Sequence, residues 1–180
     1  LMDIDTVWKI DADGRISVKM DVVKNPELPE LPRFGLRLFL KKDMDQLEYY
    51  GVGPQESYIH KCKAGSHGIY TGSVTDQHED YIRPQENGSH WNCSGLALTT
   101  SDHRSLLISG TQNFSFNASR YTQEELTTKA HSFELEKSPY TVLCLDGYMS
   151  GCGSNSCGPA LAKKYRVDQD KLTFTFTLNF

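Results

Sequence analysis

The sequence lacks the long apolar runs and the excess of one charge that are typical of membrane and nucleic-acid-binding proteins. Its longest apolar stretches, such as 105–109, are far shorter than the roughly 20 residues that a membrane-spanning helix needs. The 19 Lys and Arg residues are scattered among 23 Asp and Glu residues and form no basic stripe. This distribution argues against nucleic acid and against a membrane as the partner.

Cysteine is also scarce. Five Cys residues among 180 are too few, and odd in number, for a small secreted scaffold held together by disulfides, so we expect free thiols in a reducing cytoplasm. Asp3 and Asp5 leave no apolar signal-peptide core in the opening residues. We therefore expect a cytoplasmic location and interpret the four Asn-X-Ser sequons as chance occurrences.

Alternation of apolar and polar residues is the dominant pattern, and it predicts β-strands almost throughout. Ile16, Val18, Met20 and Val22 fall on one face of a strand, and the segment 172–178 alternates without a break. About a dozen short strands indicate an all-β sandwich or barrel. The predicted strands are 7–10, 15–22, 34–40, 47–51, 68–74, 96–99, 105–109, 113–119, 132–136, 142–147, 163–167 and 172–178.

Turn and cap residues support this prediction. The segment 11–14 ends at a Gly suited to a hairpin turn, and three Pro residues make 25–32 a rigid connection outside the sheet. Thr122 and Glu125 have the spacing of a capping box, which predicts one short helix over 122–130. No internal repeat or domain boundary is visible.

Acid–base pairs and metal ligands have little support. Acids that are neighbours on a strand point to opposite faces, and the pair 124–125 is explained by helix capping. The Cys and His residues lack the short paired spacing of a zinc site, so no metal site is predicted. Asp146 follows an apolar run, and we interpret it as a turn residue that hydrogen-bonds its own backbone.

Three polar segments are the candidates for ligand binding. The segment 149–159 contains three Gly, three Ser, one Asn and one Pro, so it is either an ordinary flexible loop or a set of amides and hydroxyls exposed to a polyhydroxylated ligand. The segments 49–58 and 81–91 combine aromatic and polar residues and could contact a sugar. The favoured interpretation is that these two are hydrogen-bonded corners that fix strand connections.

Four motifs carry a resemblance to a known family, and they follow one another in the same order as in that family. They are Tyr50–Tyr58, Tyr81–Gly88, Phe114–Tyr121, and Leu145–Tyr148 followed by 153–159. They resemble the C-terminal domain of lac-type β-galactosidases, glycoside hydrolase family 2, over essentially the whole chain. The resemblance implies a large antiparallel β-sandwich, the supersandwich of galactose-mutarotase-like proteins, as a single domain over 1–180.

The resemblance also implies that the catalytic machinery lies elsewhere. In this family two Glu residues on a separate (β/α)₈ barrel hydrolyse the galactoside with retention. A barrel needs roughly 200 residues or more, and this chain shows no βα alternation. We therefore expect a catalytically inert C-terminal fragment of a bacterial enzyme, with no catalytic residue, metal or cofactor of its own.

Further expectations concern the parent enzyme. Its other domains are the expected partners of this chain. We expect this chain to contact the galactoside within the active site of the parent enzyme. Any Mg or Na that the parent uses is expected in the barrel, and the parent is expected to be a homo-oligomer.

One loop is expected to reach the substrate. In the family the loop after the Asp-Gly-Tyr/Phe motif extends to the mouth of the active site, and in one branch it presents a Trp to the sugar. Cys157 occupies the matching position here and offers no aromatic surface. Asn155, Ser154 and Ser156 are expected to contact the substrate through hydrogen bonds together with Cys157.

Two other functions stay open at this point. The chain could be an autonomous carbohydrate-binding module that uses a concave sheet face. It could also be a mutarotase-like enzyme, with Glu86 or Glu56 as the base, His90 as the acid and Arg83 as a clamp on the sugar.

Overall fold

A computed structural model describes residues 1–151 and 160–180, which contain nine β-strands and one short α-helix. The helix is α1 (Gln123–Thr128), and no helix in these two ranges is long and apolar enough to cross a membrane. The predicted all-β sandwich with one short helix is confirmed. The strands are β1 (Met2–Ile10), β2 (Ile16–Lys24), β3 (Arg33–Lys41), β4 (Gln46–Gly53), β5 (Ser66–Ser73), β6 (Ser89–Thr99), β7 (Ser105–Ser119), β8 (Tyr140–Met149) and β9 (Lys171–Asn179).

Strand β7 connects the two layers of the sandwich. All strand pairs are antiparallel, and the main path of the sheet is β1-β2-β9-β7-β6-β4-β5. The first part of β7, Leu107–Gly110, pairs with β9, whereas Ser115–Ser119 pairs with β8, which in turn pairs with β3. The β3–β8 pair therefore leaves the plane of β9 and packs against it.

The core is formed by the apolar faces that the alternation predicts. Val18, Met20 and Val22 of β2 are buried, as are all four apolar residues of 172–178 on β9. The rings of Phe34 on β3 and Phe174 on β9 meet edge to face with centroids 6.0 Å apart. The two layers thus share one interior, as a sandwich requires.

The local turn and cap predictions are confirmed in part. Gly14 takes a φ of +84° in the turn between β1 and β2. The Thr122 side chain caps α1 by accepting a hydrogen bond from the Glu125 backbone N–H at 3.1 Å. The second half of a capping box is replaced, because the Glu125 carboxylate accepts a hydrogen bond from the Glu136 N–H instead.

Two predicted strands are wrong. Ser132–Glu134 and Lys163–Tyr165 form short 3₁₀ turns. In the first, the Glu134 carboxylate accepts hydrogen bonds from the backbone N–H groups of Ala130 and His131, both at 3.0 Å, and this local bonding replaces a strand ladder. The predicted strands 105–109 and 113–119 are also not separate, because pairing continues through Gly110 and joins them as β7.

Gly147 marks the closest approach of β8 to the opposite layer. A Cβ atom at this position would lie 2.5 Å from two carbon atoms of the Phe174 ring. Because Phe174 is buried among core side chains, its ring has no room to move away.

We expect Gly147→Ala to lower the free energy of unfolding by about 1–3 kcal/mol, the usual cost of adding a group to a packed core. Denaturant unfolding of the 180-residue chain measures this. Gly95→Ala on β6 is the matched control, since a Cβ there has no neighbour within 4 Å. Equal effects of the two substitutions would contradict the packing argument.

Candidate functional site

The predicted substrate-contacting residues Cys157, Asn155, Ser154 and Ser156 lie outside the described residues, so their roles stay predictions. The structure does describe both ends of the segment that carries them. One end follows β8 at Ser150 and Gly151, and the other begins at Ala160. We call the residues 148–151 and 160–167 the stem.

Backbone and hydroxyl hydrogen bonds tie the two sides of the stem together. The Ser150 hydroxyl donates to the Leu31 carbonyl at 2.7 Å and accepts from the Val167 N–H at 2.8 Å. The Gly151 N–H donates to the Tyr165 carbonyl at 3.2 Å. Because Leu31 belongs to the Pro-rich connection, this connection is the third component that fixes the stem.

A buried ion cluster lies just before the stem on β8. The Arg33 guanidinium donates two hydrogen bonds to the Asp146 carboxylate, at 3.0 and 2.6 Å, and a third to Glu86 at 2.8 Å. Asp146 is only 3% exposed and is paired with Gly35 across β3 and β8. The interpretation of Asp146 as a turn residue is therefore wrong, because the strand continues to Met149 and a buried carboxylate needs a cation.

The cluster holds one cation and two carboxylates, and Glu86 is its weakly held member. Its Oε2 atom accepts one hydrogen bond from Arg33, whereas its Oε1 atom is buried and has no hydrogen-bond partner among the described residues. Burial raises the pKa of Glu86 to about 6, an effect that Arg33 opposes and Asp146 reinforces. Burial alone would lower the pKa of Arg33, but Asp146 and Glu86 raise it, so the guanidinium stays charged.

The segments 49–58 and 81–91 form interlocked corners, as the favoured interpretation predicts. The Glu56 carboxylate accepts hydrogen bonds from Lys61, from the Tyr81 hydroxyl and, at 2.8 Å, from the Gly88 N–H. Burial would raise the pKa of Glu56, but these three donors lower it. Glu56 is therefore an ionised residue that joins the two corners.

Of the four residues named for a mutarotase-like reaction, three make contacts within the fold and one is exposed. His90 is buried beside the Tyr49 ring, with one ring nitrogen 2.7 Å from the Gln77 side-chain oxygen. Burial lowers the pKa of His90 to about 4, so its imidazole is neutral at pH 7 and holds no acidic proton to give. Glu86 and Glu56 are engaged in the contacts above, and Arg83 is exposed.

The remaining candidate groups among the described residues are thiols and possible metal ligands. Cys62, Cys93 and Cys144 are free, in agreement with the expectation of free thiols for these three. Burial raises the pKa of Cys144 to about 12, which makes it unreactive at neutral pH. Within 1–151 and 160–180, no group of three or more His, Cys, Asp or Glu side chains could hold a metal ion.

Comparisons with known proteins identify the family. The beta galactosidase small chain family model matches residues 1–178. The chain belongs to this family. It is 47% identical over 180 residues to a beta-galactosidase of Actinobacillus pleuropneumoniae, covering all of this chain and 17% of that protein. A beta-galactosidase of Staphylococcus xylosus is 38% identical over 173 residues, which are 96% of this chain and 17% of that protein.

These relatives are much longer than this chain. A third relative, a beta-galactosidase of Lactococcus lactis, is 34% identical over 159 residues, 88% of this chain but 16% of that protein. The chain therefore spans about one sixth of the length of these relatives.

Arg33 belongs to the candidate site, and no pattern in the sequence predicts this position for it. It is the first residue of β3, and its partners Glu86 and Asp146 are 53 and 113 residues away along the chain. The signal in the sequence was the pair of motifs that contain Glu86 and Asp146. Neither motif indicates which basic residue pairs with these two carboxylates.

We expect Arg33→Ala to lower the free energy of unfolding by about 3–5 kcal/mol, because it leaves the Asp146 and Glu86 carboxylates buried without a cation. Arg37→Ala on the same strand is the matched control, since Arg37 pairs with an exposed carboxylate on Glu124 and should cost less than about 1 kcal/mol. Denaturant unfolding compares the two variants. If Arg33→Ala lowered the free energy of unfolding no more than Arg37→Ala does, the proposed stabilisation by the ion cluster would be contradicted.

The raised pKa of Glu86 makes stability depend on pH. The ordinary pKa of Glu86, which applies in the unfolded state, is 4.5, so the folded state binds the proton of this carboxyl group more tightly. The stabilisation that results is complete below pH 4.5 and is lost as the pH rises through 6. Between about pH 4.5 and pH 7, the unfolding free energy of the wild type should fall by roughly 2 kcal/mol relative to that of Glu86→Gln. Denaturant titrations across this range test it, and a difference that stays constant or grows with pH would contradict it.

Proposed function

We propose that this chain is the non-catalytic C-terminal β-sandwich domain of a retaining β-galactosidase. The observation that carries the proposal is the match to β-galactosidases over the whole chain but over only 17% of the first relative's length. Hydrolysis of terminal β-D-galactosyl residues then uses a pair of Glu residues in another part of the parent protein. The present 180 residues form one domain that completes the wall of that active site.

The stem supports the role of the wall. The hydrogen bonds of Ser150, together with the ion pair of Arg33 and Asp146, fix the direction in which the chain leaves β8. On this proposal the segment that follows presents Cys157, Asn155, Ser154 and Ser156 to the galactoside. A fixed stem gives such contacts a defined position, which substrate-positioning residues require.

The exposed face of β1 supports docking against other domains of the parent. Ile4, Trp8 and Ile10 are 45%, 53% and 71% exposed. Their cross-strand partners are Val22, Val18 and Ile16, so they lie on the same face of the sheet as the core residues of β2. An apolar face of this kind, left uncovered on an edge strand, is a surface for another protein segment.

The remaining features of the proposal concern the parent enzyme. It is a cytoplasmic, homo-oligomeric bacterial protein, and any Mg or Na that it uses is bound in its barrel domain. The chain itself needs no cofactor for the role proposed here.

We expect Cys157→Trp in the full-length enzyme to change KM for a galactoside several-fold, because an aromatic ring at this position adds a surface for stacking on the sugar. The unfolding midpoint of the domain should change little. Cys62→Ser, which alters a free thiol outside the segment, is the control and should leave KM as it is. If Cys157→Trp left the kinetics unchanged, a position of this segment in the active site would be contradicted.

Calorimetry distinguishes this proposal from a free-standing carbohydrate-binding module. The purified 180-residue chain should release no measurable heat with millimolar galactose, because an incomplete wall offers few of the contacts that a sugar needs. Bovine serum albumin at the same concentration serves as the baseline. Saturable heat with galactose would favour the module.

A further inference from the structure

Within the described residues, β1, β3 and β5 are edge strands, because each of them pairs with a single neighbour. An edge strand exposes a row of backbone N–H and C=O groups that can pair with another chain, and proteins discourage this with charged residues or Pro. β5 contains no Pro and no Asp, Glu, Lys or Arg residue, so its edge has no such protection. The other two edge strands carry the charged residues Asp3, Asp5, Lys9, Arg33, Arg37 and Lys41.

The backbone groups of alternate β5 residues face the open side. The Val74 N–H donates to the Asp45 carbonyl at 2.7 Å, in register with the pairing of β4 and β5. Because the direction of the N–H and C=O groups alternates along an antiparallel strand, the even-numbered residues of β5 face β4. The N–H and C=O groups of His67, Ile69 and Thr71 therefore point away from β4, to the side where no described strand pairs with β5.

The open part of this edge ends at Ser73. The Ser73 N–H donates to the Asp76 carboxylate at 3.2 Å, and the Ser73 carbonyl accepts a hydrogen bond from the Gln77 side chain at 2.9 Å. These local side chains occupy the backbone groups of Ser73, which leaves 67–71 as the segment open to another strand.

The outer face of the edge is apolar and matches a second copy of itself. Ile69 is 69% exposed, and its neighbour on β4, Tyr50, is 49% exposed. If two copies of β5 pair in antiparallel fashion about Ile69, the two Ile69 side chains face each other and extend the apolar row of Tyr50. His67 then faces Thr71 of the second copy, so no two like charges meet across the pair.

The inner face of the edge also suits this register. The Tyr70 ring lies on the core side of the sheet, with its centre 5.5 Å from that of the Tyr49 ring. Tyr70 faces Gly68 of the second copy, which has no side chain to compete for this space. Across 67–71, the contact between two large side chains is thus the apolar contact of Ile69 with its own copy.

We propose that β5 is a dimerisation edge, at which two copies of this chain join by antiparallel pairing of 67–71 about a twofold axis at Ile69. A twofold interface uses the same surface on both subunits, which the register above provides. The pairing forms about six backbone hydrogen bonds between the subunits. The inference rests on one part of the proposed function, that the parent enzyme is a homo-oligomer, and it names the strand that joins two subunits.

Cysteine cross-linking in the full-length enzyme tests the register. In Ile69→Cys the two new thiols lie on facing residues, whose Cα atoms are about 5.5 Å apart, within the range of about 4.4–6.8 Å that a disulfide spans. Under mild oxidation this variant should form several-fold more covalent dimer than the matched control Thr71→Cys. Thr71 lies on the same strand and face, but its two copies are roughly 13 Å apart along the strands, beyond the reach of a disulfide.

Sedimentation velocity of the full-length enzyme tests the interface without cross-linking. Ile69→Lys places two like charges on the axis and removes the apolar contact, so the dissociation constant of the subunits should rise by about five- to tenfold. Leu107→Lys is the control, because Leu107 is a half-exposed residue on the same face of the interior strand β7. It should leave the dissociation constant unchanged.

The outcomes separate this inference from the proposed function. If Ile69→Cys cross-linked no more than Thr71→Cys, or if Ile69→Lys and Leu107→Lys weakened association equally, the β5 interface would be overturned and the proposed function would stand. An unmodified enzyme that sediments as a monomer would overturn the interface together with the expected homo-oligomer. An enzyme that forms the Ile69→Cys cross-link but hydrolyses no galactoside would support the interface and contradict the proposed β-galactosidase function.

Discussion

The structure around the candidate site depends on one buried ion pair, Arg33 with Asp146. It joins the first residue of β3 to β8 shortly before the chain enters the stem, and Glu86 adds the corner at 81–88 to the same guanidinium. A buried carboxylate without such a partner would be costly, so these elements are held in a single arrangement. The Ser150 hydrogen bonds extend this arrangement to both sides of the stem.

The fold is largely predictable because its determinants are local. The unbroken alternation at 172–178, the Gly at position 14 and the cap at Thr122 act within a few residues, and each is found where the sequence places it. The segments 132–136 and 163–167 have strand-like composition but find no ladder. Their local hydrogen bonds then decide the structure, which a pattern of single residues does not show.

The site is less predictable because its determinants are distant in sequence. Arg33 and Asp146 are 113 residues apart, and nothing in either local pattern indicates the pairing. The stem likewise contains a turn at 163–165 that the pattern predicts as a strand. Resemblance to a family supplied the functional assignment, whereas the physical position of each side chain needed the three-dimensional structure.

On the proposed function, these 180 residues supply shape, and no chemistry, to the active site of a larger β-galactosidase. The most direct measurement is the activity of the parent enzyme with these residues deleted, before and after the purified chain is added back. The account predicts no activity from either part alone and its recovery when both are mixed. Galactoside hydrolysis by the 180-residue chain alone, or full activity of the deleted parent, would contradict it.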